Sequence, residues 1–191
     1  MKNYLQAKLF GIILESKFRL KRLQVEKIVS TINIKPGHTI ADIGAGTGLF
    51  SRLFAQAAQP GGTAYAVDTN PVLLKKIGKK KKTDNLKPVL ASDTDFNLPE
   101  KVDIMFMCDV LHHVEDKSGF LNNVRKYLKE DGVLAIIDFS EKWPPFHKSM
   151  KFTIDEYEAW IKNAGLKKVK EHDFLKDSMW SFFHICRLEM S

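Results

Sequence analysis

Between residues 39 and 138 the chain alternates short apolar runs with amphipathic stretches, and this alternation constrains the fold more than any other feature. Strand-like runs stand at TIADI (39–43), TAYAV (63–67), KPVLA (87–91), VDIMFMC (102–108) and GVLAIID (132–138). Apolar residues at helical spacing fill about 48–58, 71–81 and 117–129 between them. Strands joined through helices run parallel, because a parallel neighbour is reached only by a long crossover, and such crossovers are right-handed. The pattern predicts a doubly wound, mostly parallel α/β sheet.

The two ends depart from this rhythm. The first 33 residues read as helix: Leu5, Leu9, Ile12 and Ile13, then Leu20, Leu23, Ile28 and Ile32, recur at helical spacing before KPGH (35–38) turns the chain. Near the other end a helix is predicted over 153–164, with Thr153 as N-cap, Glu156 three residues on, and Gly165 as its stop. VKEHDFL and WSFFHICRLEM follow with only KDSM between them. That link is too short for a crossover, so the pair is expected to form an antiparallel hairpin.

At 191 residues, 44% hydrophobic and 28% charged, the chain has ordinary globular proportions. Apolar stretches such as LFGIIL (9–14) fall far short of the roughly 20 residues of a spanning helix. With no leader-like layout at the N-terminus, a soluble cytoplasmic protein is expected. Cys108 and Cys186 sit in apolar runs at no zinc-like spacing, so both are expected to be buried free thiols, with neither a disulfide nor a metal. The net charge of +7 is concentrated: residues 1–35 and 75–87 each carry +6, which leaves −5 for the rest. The lysine run 75–82 reads as a patch for an anionic partner or as a solvated helix end, a favourable place for cations, and it has no interleaved aromatics for base stacking.

The first strand ends in three alternating glycines, Gly44, Gly46 and Gly48, with Asp42 expected at the mouth of the loop. In an open α/β sheet such a loop lies at the carboxyl edge, where ligands bind. A dinucleotide fingerprint counted from Gly44 would need a third glycine where Leu49 stands. The frame from Gly46 ends in Ser51, and a phosphate-binding G-x-x-x-x-G-K-[ST] loop is absent. A carboxylate beside the loop repels a pyrophosphate and attracts an ammonium. Asp68 tips the second strand, where an acid accepts hydrogen bonds from ribose hydroxyls, and Asp93 tips the third, able to take an exocyclic amine. An ammonium, a diol and an aminopurine together describe S-adenosylmethionine.

These residues resemble the class I S-adenosylmethionine-dependent methyltransferases, in particular their small type 11-like members. ADIGAGTGLFS is similar to the family's D-x-G-x-G-x-G motif, AYAVDTNP to its ribose-binding strand end, SDTDFNLP to its adenine-side segment, and VDIMFMCDVLHHVED with GVLAIIDFS to its fourth and fifth strands. The resemblance implies a Rossmann-like, seven-stranded sheet of order 3-2-1-4-5-7-6 with the last strand antiparallel. It implies a cofactor site formed by Asp42, Gly44, Ala45, Gly46, Gly48, Asp68, Thr69, Asn70, Asp93, Thr94 and Asp109. It also implies a domain over 35–191, preceded by a helical segment, 1–34, that packs on or covers that site.

Methyl transfer from a sulfonium is an in-line displacement for which the protein chiefly positions the acceptor. A base is needed only where the acceptor must lose a proton, and His112, His113 and His147 are the candidates. Trp143, Phe146 and the adjoining prolines read as an acceptor-pocket wall or as loop packing, and His184 as structural. A small-molecule acceptor is expected, and a nucleic-acid partner is not. The basic N-terminal segment suits a weak contact with a membrane surface or an anionic substrate. A nicotinamide oxidoreductase and a non-catalytic cofactor-binding module are the alternatives.

Overall fold

The computed structural model describes residues 17–80, 84–139, 152–176 and 181–189. The chain forms a seven-stranded sheet of order β3-β2-β1-β4-β5-β7-β6. It divides into two compact units, residues 1–98 and 99–191.

The first unit holds helices α1 (Lys17–Leu23) and α2 (Val25–Ile32), then β1 (Thr39–Ile43), α3 (Leu49–Ala57), β2 (Thr63–Asp68), α4 (Pro71–Lys80) and β3 (Leu86–Leu90). The expected N-terminal helix is interrupted at Gln24, whose φ of 50° lies in the left-handed region; residues 1–16 lie outside the described set. β1 pairs parallel with β2, and β2 with β3. Ile40, Ala41, Phe54, Ala64, Ala66 and Val67 are fully buried, and a side chain the size of Phe54 contributes about 1.5–3 kcal/mol on leaving water. β3 begins and ends one residue before its expected range. Pro88 sits within it as a residue with no N–H to donate.

The second unit holds β4 (Val102–Cys108), a 3-10 turn (Leu111–His113), α5 (Lys117–Tyr127), β5 (Leu128–Phe139), α6 (Ile154–Asn163), β6 (Leu166–His172) and β7 (Ser181–Leu188). The predicted helix over 117–129 stops two residues early, because Leu128 already pairs with Val102 in the sheet. The register then jumps so that Val133 meets Ile104. In between, Lys129 pairs with Asp103 at 2.8 Å. α6 opens with the expected capping box: Thr153 accepts from the Glu156 N–H at 3.2 Å, and the Glu156 carboxylate accepts from the Thr153 N–H at 2.7 Å. β6 and β7 pair antiparallel, as expected of the hairpin, although β6 starts three residues earlier than the sequence pattern shows. Two of its lysines, Lys167 and Lys170, are exposed, and Val169 between them is 51% exposed.

Cys186 is buried, as expected, but Cys108 is only partly covered. It is the last residue of β4, where the strand runs out at the rim of the sheet and loses its cover. His184, by contrast, is 1% exposed. Its ring lies 4.6 Å from that of Phe182 and 5.4 Å from that of Tyr157, with Glu171 Oε2 3.4 Å from Nε2. Burial pushes this imidazole down to about 4. Between pH 6.5 and 4 the unfolded chain therefore binds a proton that the folded chain refuses, and this contribution to stability is lost as pH falls through that window. Replacing His184 with Phe is expected to reduce the loss of stability between pH 7 and pH 4 by about 2–3 kcal/mol, read from urea unfolding at both pH values.

Candidate active site

In the first unit the glycine loop leaves β1 and enters α3. Gly44, Gly46 and Gly48 have φ of 70°, 55° and 77°, a region costly for any residue with a Cβ. At Gly48 space is short as well, since an added Cβ would stand 2.8 Å from Ile77 Cγ1 on α4. Three of the loop's amides are committed. Ala45 N donates to the Val67 carbonyl (3.0 Å), Gly48 N to the Ala45 carbonyl (2.8 Å), and Gly46 N to Asp68 Oδ2 (2.8 Å). The other Asp68 oxygen accepts from Asn70 N at 2.8 Å. Asp68 thus clamps the loop to the end of β2 with both oxygens, each retaining a lone pair for a further donor.

Asp42 departs from the expected position. It is 3% exposed, a buried side chain rather than one open at the mouth of the loop. There the Ser51 hydroxyl, itself fully buried on α3, donates to Asp42 Oδ2. Burial pushes this carboxyl up to about 7 against the pull of the Ser51 hydrogen bonds. Asn70 uses its side-chain oxygen on the Val72 and Leu73 amides, at 3.0 and 3.3 Å, and so caps α4. Thr69 is exposed. Asp93 and Thr94 are exposed on the turn after β3, which Ser92 Oγ organises by accepting from the Thr94 and Asp95 amides at 3.3 and 3.0 Å.

In the second unit, Asp109 follows β4 with φ of 59°, and its N–H donates to the Ile137 carbonyl at 2.9 Å. His112 is 4% exposed and His113 is exposed, with ring centroids 4.0 Å apart. Beneath them lies a residue that the sequence reading passed over. Asp138, fully buried at the end of β5, accepts from Phe139 N (2.8 Å) and His112 N (3.2 Å), and its Oδ1 stands 2.7 Å from His112 Nδ1. These contacts tie the turn after β4 to the end of β5 through one buried side chain. The available signal was an acid closing an apolar strand run, as Asp42 and Asp68 do. In the sequence Ser51 stands out only as a mismatch to glycine. His147, Trp143 and Phe146 lie outside the described residues.

The donor set suits a cationic nucleoside better than a diphosphate. The Gly46 amide, which a pyrophosphate would need, is held by a carboxylate, and a second carboxyl, that of Asp42, is buried in the strand that leads into the loop. A family model described as "Methyltransferase domain" matches residues 41–134, the stretch from β1 into β5 that carries these groups. Over this stretch the chain is similar to the methyltransferase domain family.

The fold agrees with this match. A SAM-dependent methyltransferase from Aquifex aeolicus superposes with a TM-score of 0.81 at 22% identity, covering 93% of this chain and 96% of that one. The [4+2]-cyclase SpnF superposes at 0.72 with 8% identity, over 89% and 81% of the two chains, so the shared fold does not itself dictate the reaction. The ubiquinone/menaquinone biosynthesis C-methyltransferase UbiE of Burkholderia vietnamiensis is 27% identical over 156 residues. That match takes in 79% of this chain and 63% of the relative, so the chain spans less than two thirds of the relative's length. Among the described residues no helix is long and apolar enough to cross a membrane.

Removing the Asp138 carboxylate would take a buried partner from the Phe139 and His112 amides and from His112 Nδ1. Asp138→Ala is expected to cost about 3 kcal/mol or more in chemical denaturation. His113→Ala, at an exposed position, is expected to cost about 0.5 kcal/mol or less.

Proposed function

We propose that the chain is an S-adenosylmethionine-dependent methyltransferase acting on a small-molecule acceptor. The observation that carries this reading is the loop amide of Gly46 held by Asp68, which makes the rim of the loop anionic where a dinucleotide site would offer N–H donors. When bound, S-adenosylmethionine supplies a methyl group activated by its positive sulfur. The chain's own residues bind and orient. Asp42 faces the ammonium, Asp68 takes the ribose hydroxyls on its remaining lone pairs, and Asp93 with Thr94 takes the adenine amine. Gly44, Ala45, Gly46 and Gly48 let the backbone approach closely, Thr69 and Asn70 border the adenosine, and Asp109 lines the amino-acid end.

For an acceptor that must lose a proton, His113 offers an exposed imidazole, supported by the His112–Asp138 pair against which its ring lies. The carbon-methylating activity in the name of the Burkholderia relative supports an acceptor of that kind. The basic segment 1–34 is proposed to cover the cofactor site, or to hold an anionic substrate or membrane surface weakly. A cytoplasmic setting agrees with the two free thiols.

Calorimetry with S-adenosylmethionine, S-adenosylhomocysteine and NAD tests the assignment. Both sulfur nucleosides are expected to bind, and tight NAD binding with no response to either of them would favour an oxidoreductase instead. Asp68→Ala is expected to weaken sulfur-nucleoside binding more than tenfold while leaving the far-ultraviolet circular dichroism unchanged. Incubation with methyl-labelled cofactor and a small-molecule extract, followed by chromatography, is expected to yield a labelled product.

A further inference from the structure

Asp42 sits in an environment that suits a neutral acid better than an anion. Its carboxyl is 3% exposed, and its side-chain partner among the described residues is the Ser51 hydroxyl. The charged groups facing it are Asp68 from β2, a like charge, and Arg52 from α3. Arg52 directs Nη1 to the Thr47 carbonyl at 2.9 Å. A buried carboxylate held only by the Ser51 hydroxyl and backbone N–H, with a second carboxylate nearby, is costly, and protonation relieves the cost. A cation placed against Asp42 reverses the balance, because it favours the charged form.

We propose that Ser51 is a positioning residue that holds Asp42 as a proton-exchanging anchor for the cofactor's ammonium, so that sulfur-nucleoside binding expels the Asp42 proton. The inference rests on the reading above, that a sulfur nucleoside occupies this site. The balance is simple: the O–H bond of the Asp42 carboxyl breaks, the proton passes to buffer, and the carboxylate pairs with the ammonium. No electrons move. Burial pushes the Asp42 carboxyl up to about 7, the hydrogen bonds from Ser51 hold the rise down, Asp68 adds to it and Arg52 opposes it. The exchange therefore falls in the neutral range. Binding gains strength as pH rises towards 7, because less free energy is then needed to remove the proton.

The test is calorimetry of the full chain at pH 6 and pH 7 in buffers of different ionisation enthalpy, with S-adenosylhomocysteine as probe. Its α-ammonium stays charged in this range. Proton release close to one per site is expected at pH 6 and roughly half of that at pH 7. The control is 5′-methylthioadenosine, which keeps the nucleoside and the thioether but lacks the ammonium, and should release none. Asp42→Asn should abolish the release. Ser51→Ala removes the donor to the charged form, so release should stay near one at pH 7 with affinity there reduced several-fold. Ser51→Thr, which keeps the hydroxyl, should restore both values. If Ser51→Ala does not fold, Asp42→Asn and methylthioadenosine decide the matter. Homocysteine-nucleoside binding without proton release at pH 6, or equal release with methylthioadenosine, would overturn the proposal and leave the assigned function standing. Failure of every sulfur nucleoside to bind at any pH would overturn both.

Discussion

The carboxylate of Asp68 is the contact on which the geometry of the first unit turns. One oxygen holds the Gly46 amide and the other the Asn70 amide, so a single side chain fixes both the glycine loop after β1 and the entry to α4. Asn70 extends that control by capping the first turn of the helix. The bonds to a charged acceptor are among the stronger kinds available to a protein. They also decide the sign of the site's field: donors that would have faced outwards are turned onto a negative group. Loop shape and ligand charge thus have one cause.

The second unit repeats the device with different consequences. Asp138 ends β5 as Asp68 ends β2, and it too gathers amides from the turns around it. Because Asp138 is fully buried, the His112 ring completes its set of hydrogen-bond partners and is held in place as a result. The same principle, an anionic strand end that organises the adjoining turn, shapes the loop in one unit and sets an imidazole in the other.

The architecture could be read from the order of apolar runs, because parallel pairing leaves few topologies and a four-residue link between the last two runs leaves one orientation. Element ends were less readable. Leu128 looks like the last turn of a helix in the sequence, and only its pairing with Val102 shows that it is strand. At the site, residue type was enough to single out Asp42, Asp68 and the glycines. Depth was not visible, since Asp42 occupies a face that α3 covers and its Ser51 partner is nine residues away with no pattern linking the two. Asp138 was missed for a related reason: a carboxylate closing a run of Leu, Ala and Ile gives no hint of whether it meets water or a histidine.

The two margins of the sheet carry a further consequence. At one, Pro88 of β3 removes a backbone donor. At the other, Lys167 and Lys170 stand exposed on β6 beside the apolar Val169. An incoming strand would meet a gap in its ladder on the first side and like-charged neighbours on the second, which discourages open-ended stacking of one molecule upon the next. The first barrier is covalent and insensitive to the medium, while the second weakens as added electrolyte screens the ammonium groups. Resistance to self-association is therefore built unequally into the two rims, and concentrated salt would expose the lysine-guarded one first.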